Sequence, residues 1–208
     1  MSGDPISSIY DRVAEIYAVR FTDELDHKPL DRQLLAELAA ELVGRGPVAD
    51  LGCGPGHVAA HLAGLGLDTV GIDLSPGMIE VARRRFPSVR FQVGDLLDLA
   101  LPDASLAGAI AFYSLIHLPR RSMPLAAGEI HRVIRTGGTL LLAVHGGEGE
   151  IHADEFLGQP VSIDATLFQP DEVAGILSAA GFTVDRLIAR DPVEGEYPTT
   201  RVYVRAIA

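Results

Sequence analysis

Val48-Ala49-Asp50-Leu51-Gly52-Cys53-Gly54-Pro55-Gly56-His57 is the stretch on which the reading of this sequence turns. An apolar run ending in a glycine-rich turn predicts a buried strand, a tight loop and then a helix. Glycines at 52, 54 and 56 let the backbone bend sharply and come close to a ligand, with the N–H groups of the following helix facing the same point. A second apolar run closes at Asp73, about twenty residues on, where a carboxylate can hold the two hydroxyls of a ribose. Together these predict a nucleoside pocket. The dinucleotide fingerprint GxGxxG fails at its third glycine, because His57 stands there, so an adenosine ligand other than a dinucleotide is favoured.

Further segments follow in order. VADLGCGPGHVAAHLAGLG (48–66), VGIDLSPGMIEVARRR (70–85), FQVGDLLDL (91–99), GAIAFYSLIHLP (108–119) and RVIRTGGTLLLAV (132–144) resemble the successive motifs of the class I S-adenosylmethionine-dependent methyltransferases. The resemblance covers roughly residues 45 to 145. It implies a Rossmann-like, doubly wound α/β fold whose seven-stranded sheet is mostly parallel with an antiparallel last strand, and S-adenosyl-L-methionine as cofactor. Carried over residue by residue, it implies cofactor contacts at Asp50, Gly52, Cys53 and Gly54, at Asp73, Leu74 and Met78, at Asp95 and Leu96, and at Ala111 and Phe112. Asp50 would hold the amino group of the methionine moiety. In many small-molecule members an N-terminal helix closes over the cofactor and offers a tyrosine, which points to Tyr17, with Arg20 beside it. The fourth segment lacks the aspartate often found at its start, which weakens any catalytic carboxylate there.

The composition is compatible with this. The chain has 208 residues, 48% of them hydrophobic, enough for one good core. A formal net charge of −11 argues against a phosphate backbone as partner. The densest basic run, Arg83-Arg84-Arg85, reads as the solvated face of a helix. The single cysteine, Cys53, cannot form an internal disulfide and fits a reducing cytoplasm. No apolar run reaches membrane-spanning length and the N-terminus lacks a signal-peptide pattern, so a cytoplasmic, soluble monomer or homodimer is expected.

Strand and helix patterns alternate through most of the chain. Helices are expected over 31–43, 76–85 and 121–134, the second opened by Ser75-Pro76, and strands over 89–93, 106–112 and 139–144, the last after a turn at Gly137-Gly138. Phe182–Ala189 and Arg201–Ala206 are strand-like runs too closely linked for a crossover helix, so they should pair antiparallel. Residues 1–45 are expected to form a helical cap, with Tyr10 and Tyr17 on one face. Residues 46–208 should form the cofactor-binding domain, with a long substrate-binding insertion at about 146–169. Glu148, Glu150, His152 and Asp154 in that insertion lack a ligand spacing tight enough for a metal, and no metal is expected.

The reaction expected from the resemblance is methyl transfer to the O, N or S atom of a small molecule. His117, Tyr113 and His145, placed after the fourth and fifth strands, are the candidate catalytic residues; a hydroxyl acceptor would call for such a base. A nicotinamide-dependent oxidoreductase and a non-catalytic cofactor-binding module are the alternatives.

Overall fold

The computed structural model describes residues 5–208, so the first four residues of the expected cap lie outside the described residues. Two compact units are distinguished along the chain. The first holds the residues up to Asp95 together with Ala153–Ile163, and the second holds Leu96–His152 and Asp164–Ala208.

In the first unit, β1 (Val48–Leu51), β2 (Thr69–Asp73) and β3 (Arg90–Val93) pair in parallel, with β2 in the middle. The helices α1 (Ile6–Arg20), α2 (Pro29–Leu42), α3 (His57–Gly64) and α4 (Pro76–Arg85) belong to the same unit. All four residues of β1 are buried, as a strand covered on both faces requires. In the second unit, β4 (Leu106–Phe112) runs parallel to β5 (Ile134–Gly146). The C-terminal strands β8 (Thr183–Arg190) and β9 (Thr200–Ile207) complete it, with β9 antiparallel to both β5 and β8. The helices there are α5 (Met123–Val133) and α6 (Pro170–Ala179). The seven-stranded sheet has the order β3-β2-β1-β4-β5-β9-β8, so the expected terminal hairpin is present and its last strand lies beside the fifth.

Two local readings change and a third is extended. The insertion after β5 is a β-hairpin, β6 (Glu150–Phe156) and β7 (Gln159–Thr166), turning at Leu157-Gly158. Its strands alternate between exposed and more buried residues, a short period-two pattern within a largely polar segment. Gly137-Gly138 is not a turn before β5 but lies inside it, next to a register shift opposite Leu106/Gly108. The arginines of α4 lie on the expected solvated face, Arg83 and Arg84 being exposed, but also reach neighbours: Arg83 donates twice to the Phe91 carbonyl, Arg84 pairs with Glu15, and Arg85 donates to the Ala18 carbonyl and the Thr22 hydroxyl. No helix of the described residues is long and apolar enough to cross a membrane.

Contacts with α4 lock α1 in place. The Ser75 hydroxyl caps α4 by accepting from the Met78 N–H at 3.0 Å, and donates at 2.6 Å to Asp11 of α1. The same Asp11 oxygen accepts the Gly77 N–H at 2.7 Å. A Cβ at Gly77 would stand 3.0 Å from that oxygen and 3.1 Å from the Asp11 Cα, so this approach needs glycine.

Phe91 on β3 supports the glycine loop. A Cβ at Gly56 would fall 2.6 Å from the Phe91 ring, and one at Gly71 would also collide with it. The third glycine of the loop therefore serves packing, with a left-handed φ of 86° as a second demand. Gly56→Ala meets both penalties and is expected to destabilise the fold by about 3 kcal/mol, combining left-handed strain with overpacking. Urea denaturation checks this, and a loss below about 0.5 kcal/mol would contradict the packing role.

Candidate functional site

In the first unit, β1 and β2 end side by side and deliver the loop and Asp73 to the same edge. Gly52 and Cys53 donate their N–H groups to the Ile72 carbonyl at 2.7 and 3.0 Å, which ties the loop to the end of β2. The Asp73 carboxylate is then clasped from two sides: Gly54 N–H donates to Oδ2 and Ser75 N–H to Oδ1, each at 2.8 Å. Each oxygen keeps lone-pair capacity for a further donor, as a ribose-binding acid needs. Burial pushes this carboxyl up and the two N–H donors pull it back, while Asp11 adds to the rise; the net direction is upward. Gly54, at φ 52°, has open space where a Cβ would stand, so it is the loop glycine that leaves room for close approach.

Asp50 sits at the C-terminal end of β1 and is 2% exposed. Its Oδ2 has no hydrogen-bond partner. Burial raises its carboxyl to about 7, with Asp73 adding to the rise and His57 and a backbone bond from Ala59 opposing it. An orphaned buried carboxylate oxygen is rare in native proteins because it forfeits hydration without compensation. A ligand donor, above all an ammonium group, would satisfy it.

The lid expected from the sequence is an aromatic wall. Tyr10 and Tyr17 meet edge to face with centroids 6.1 Å apart, and Phe156 of the hairpin turn joins them at 5.9 and 6.2 Å. They pack with Leu157 on Val13, Ala14, Ala18, Met78 and Val81. Burial pushes both phenols well above their usual range, and the Asp73 carboxylate adds to the push on each. Tyr17 and Asp73 thus share one environment, while Arg20 is exposed.

Among the other expected cofactor residues, Gly52 takes a left-handed φ of 74° in the loop. Cys53 is buried against Phe91, Ala82 and Ile79, and burial pushes its thiol well up, which suits a packing residue rather than a nucleophile. Met78 is fully enclosed under α1, whereas Leu74 is exposed at the end of β2. Asp95 is exposed just beyond β3. In the second unit, Leu96 and Ala111 are buried and Phe112 is half-buried at the end of β4.

The second unit carries the three candidate catalytic residues. Tyr113 directly follows β4 with a left-handed φ of 55°, unusual for an aromatic residue and typical of strained functional positions. Its hydroxyl donates to the Tyr203 hydroxyl at 3.0 Å, which also accepts from Arg190 at 2.9 Å. The His145 ring lies 5.2 Å from the Tyr113 ring, and its Nδ1 is 2.6 Å from the Thr199 hydroxyl. Arg201, 3% exposed, lies over the opposite partner of that pair, with its guanidinium carbon 5.7 Å from the Tyr113 centroid. Arg190 is held by Glu196 through bonds of 2.7 and 2.8 Å. Tyr113 and His145 therefore belong to one cluster. His117 Nδ1 is 2.8 Å from the Asp164 carbonyl, so that nitrogen carries the proton and the basic lone pair of the neutral ring is on Nε2. Burial lowers this imidazole despite the opposing pull of Asp164.

Sequence reading missed Glu24 and Asp11. Glu24 begins a short 3-10 turn (Glu24–His27) after α1 and lies 3.2 Å from His57 Nε2 and 2.5 Å from Lys28 Nζ. Burial alone would raise its carboxyl, but bonds from His57 and Lys28 outweigh that and hold it at about 2. Neither residue lies in a motif, and contacts between segments so far apart in sequence leave no local signal.

Residues 48–138 match the methyltransferase domain family. The chain is 34% identical over 145 residues to an O-methyltransferase of Penicillium expansum, covering 66% of this chain and 52% of that protein. It is 33% identical over 143 residues to a demethylmenaquinone methyltransferase of Beutenbergia cavernae, covering 66% of this chain and 57% of that one. It spans about half the length of such curated relatives. Among solved structures, an S-adenosylmethionine-dependent methyltransferase of Methanosarcina mazei superimposes with a TM-score of 0.71 at 20% identity, over 77% of this chain and 91% of that one. Residues 48–138 thus match a methyltransferase domain, the chain is similar in sequence to methyltransferases, and it shares the fold of an S-adenosylmethionine-dependent one.

Proposed function

We propose that this protein transfers the methyl group of S-adenosyl-L-methionine to the O, N or S atom of a small molecule. The observation that carries the reading is the buried, unpartnered Asp50 oxygen beside a glycine loop that Asp73 clasps. A ribose on Asp73 would use the acceptor capacity left beside its two backbone donors, and an ammonium on Asp50 would satisfy the oxygen that the fold leaves unpartnered. The relatives named as O-methyltransferase and demethylmenaquinone methyltransferase support a small-molecule acceptor, and the net charge of −11 weighs against nucleic acid. A cytoplasmic monomer or homodimer is the assembly we favour.

When bound, the cofactor supplies a sulfonium whose methyl group is already activated toward displacement, so the protein's task is mainly alignment. Asp73, Asp50 and the Gly52–Gly54 loop would hold the donor, with Leu74 and Asp95 about the adenosine. The Tyr10–Tyr17–Phe156 wall would exclude water. His117 is neutral near pH 7 and carries its lone pair on Nε2, which fits a base taking the proton of a hydroxyl acceptor. Tyr113 and His145, fixed through Tyr203 and Thr199, would orient that acceptor.

A screen of hydroxyl, amine and thiol small molecules for release of S-adenosylhomocysteine is expected to reveal an acceptor. With a hydroxyl acceptor, His117→Asn should lower kcat by roughly 100-fold at unchanged cofactor affinity; normal turnover would remove His117 from the chemistry. Asp50 must be ionised to receive an ammonium, and its carboxyl titrates at about 7 in the free protein. Ligand pairing lowers that value, so affinity is full above pH 7 and is lost as pH falls. Calorimetry should show the Kd for S-adenosylhomocysteine rising roughly tenfold for each pH unit between 7 and 5. A flat profile over that window would contradict the role given to Asp50.

A further inference from the structure

Beside Asp50, a second buried atom in the first unit lacks a partner: Nδ1 of His57. The five-residue loop Gly52–Gly56 separates these two side chains, one ending β1 and the other opening α3. They do not bond to each other, since both atoms remain unsatisfied. The side chain of His57 is 12% exposed, and its other ring nitrogen faces Glu24 at 3.2 Å. Glu24 also binds Lys28. With Glu24 ionised, Nε2 of His57 must be the donor in that contact, whatever the state of Nδ1. An imidazolium there presents its Nδ1–H as a second, charged donor, paired behind by Glu24 and itself without a partner.

The charges decide what fits. With Asp50 ionised, Glu24 and Asp50 are negative and Lys28 is positive, so an imidazolium at His57 brings this set to neutrality and leaves one buried acceptor and one buried donor unmatched within it. A ligand group matching both is a zwitterion, an ammonium for Asp50 and a carboxylate for His57 Nδ1–H. An α-amino acid end carries those two groups on one carbon.

We infer that His57, held by Glu24, is a binding residue for the carboxylate of the cofactor's amino-acid end, and that Asp50 and His57 together recognise its two charges. This rests on the reading of the loop as the cofactor site. The residue that breaks the dinucleotide pattern at position 57 is thereby a specificity determinant, selecting adenosyl ligands that keep an amino acid over those that do not. Charge-assisted bonds of this kind are the strong ones, and removing one partner should cost about tenfold in affinity.

The test is calorimetric binding of three adenosyl ligands to the full chain, with thermal melting to establish that each variant is folded. S-adenosylhomocysteine carries both charges, decarboxylated S-adenosylmethionine has only the ammonium, and 5′-methylthioadenosine has neither. His57→Gln is expected to weaken S-adenosylhomocysteine about tenfold and to leave the other two unchanged. Asp50→Asn should weaken the first two and spare methylthioadenosine. Glu24→Gln should repeat the His57→Gln pattern, and the double variant should lose little more than either alone. If the unaltered protein binds these ligands but His57→Gln and Glu24→Gln bind all three as tightly as it does, or weaken all three equally, this inference is overturned while the cofactor reading stands. If the unaltered protein binds none of them, the cofactor reading falls and this inference with it.

Discussion

The clasp of Asp73 by the N–H groups of Gly54 and Ser75 is the interaction on which the rest of the site depends. It joins the glycine loop after β1, the end of β2 and the start of α4 through one carboxylate. Gly54 can reach Asp73 only because its φ is left-handed, and the loop can lie against β2 only because Gly56 and Gly71 make room for the Phe91 ring. Ser75 extends the clasp outward, capping α4 while donating to Asp11 and so fixing α1. One small network therefore sets the ribose acid and the lid together. A buried carboxylate with a backbone donor on each oxygen is better compensated than one with an oxygen left bare.

Asp50 stands in contrast. The same strand-loop unit leaves it buried with an unmatched oxygen, and its carboxyl is correspondingly hard to ionise. Sites that must bind a charge commonly accept such a local penalty, which the ligand then offsets. The aromatic wall of Tyr10, Tyr17 and Phe156 adds to the effect by keeping water away from groups that would otherwise be solvated. In the second unit the corresponding tension is conformational, in the left-handed backbone of Tyr113.

Much of this was legible in the sequence because it is local. The strand, loop and helix around Gly52–Gly56, the capped start of α4 at Ser75-Pro76 and the terminal antiparallel pair each announce themselves within a dozen residues. The hairpin β6–β7 was less legible: its strands do alternate between exposed and more buried residues, but they are mostly exposed and rich in polar residues, so the signal is weak. The role of Gly56 was misread for a related reason: a glycine needed for a ligand and one needed for a ring packed beneath it look identical in sequence, and Phe91 lies 35 positions away. Arg83 and Arg84 are exposed as a solvent face requires, but the carbonyl and carboxylate partners that the three arginines also take come from α1 and β3 and leave no local signal. The Glu24–His57 pair is of the same kind, linking segments 33 residues apart.

The central claim is that a carboxylate fixed by the loop's own backbone receives the ribose of S-adenosylmethionine. Calorimetric titration of the unaltered protein and of Asp73→Asn with S-adenosylmethionine tests it most directly, since asparagine keeps the side chain's shape while replacing one acceptor by a donor. The account predicts micromolar binding by the first and a loss of at least about 100-fold in the second, with both proteins folded. Equal affinities for the two, or no binding by the unaltered protein, would contradict it.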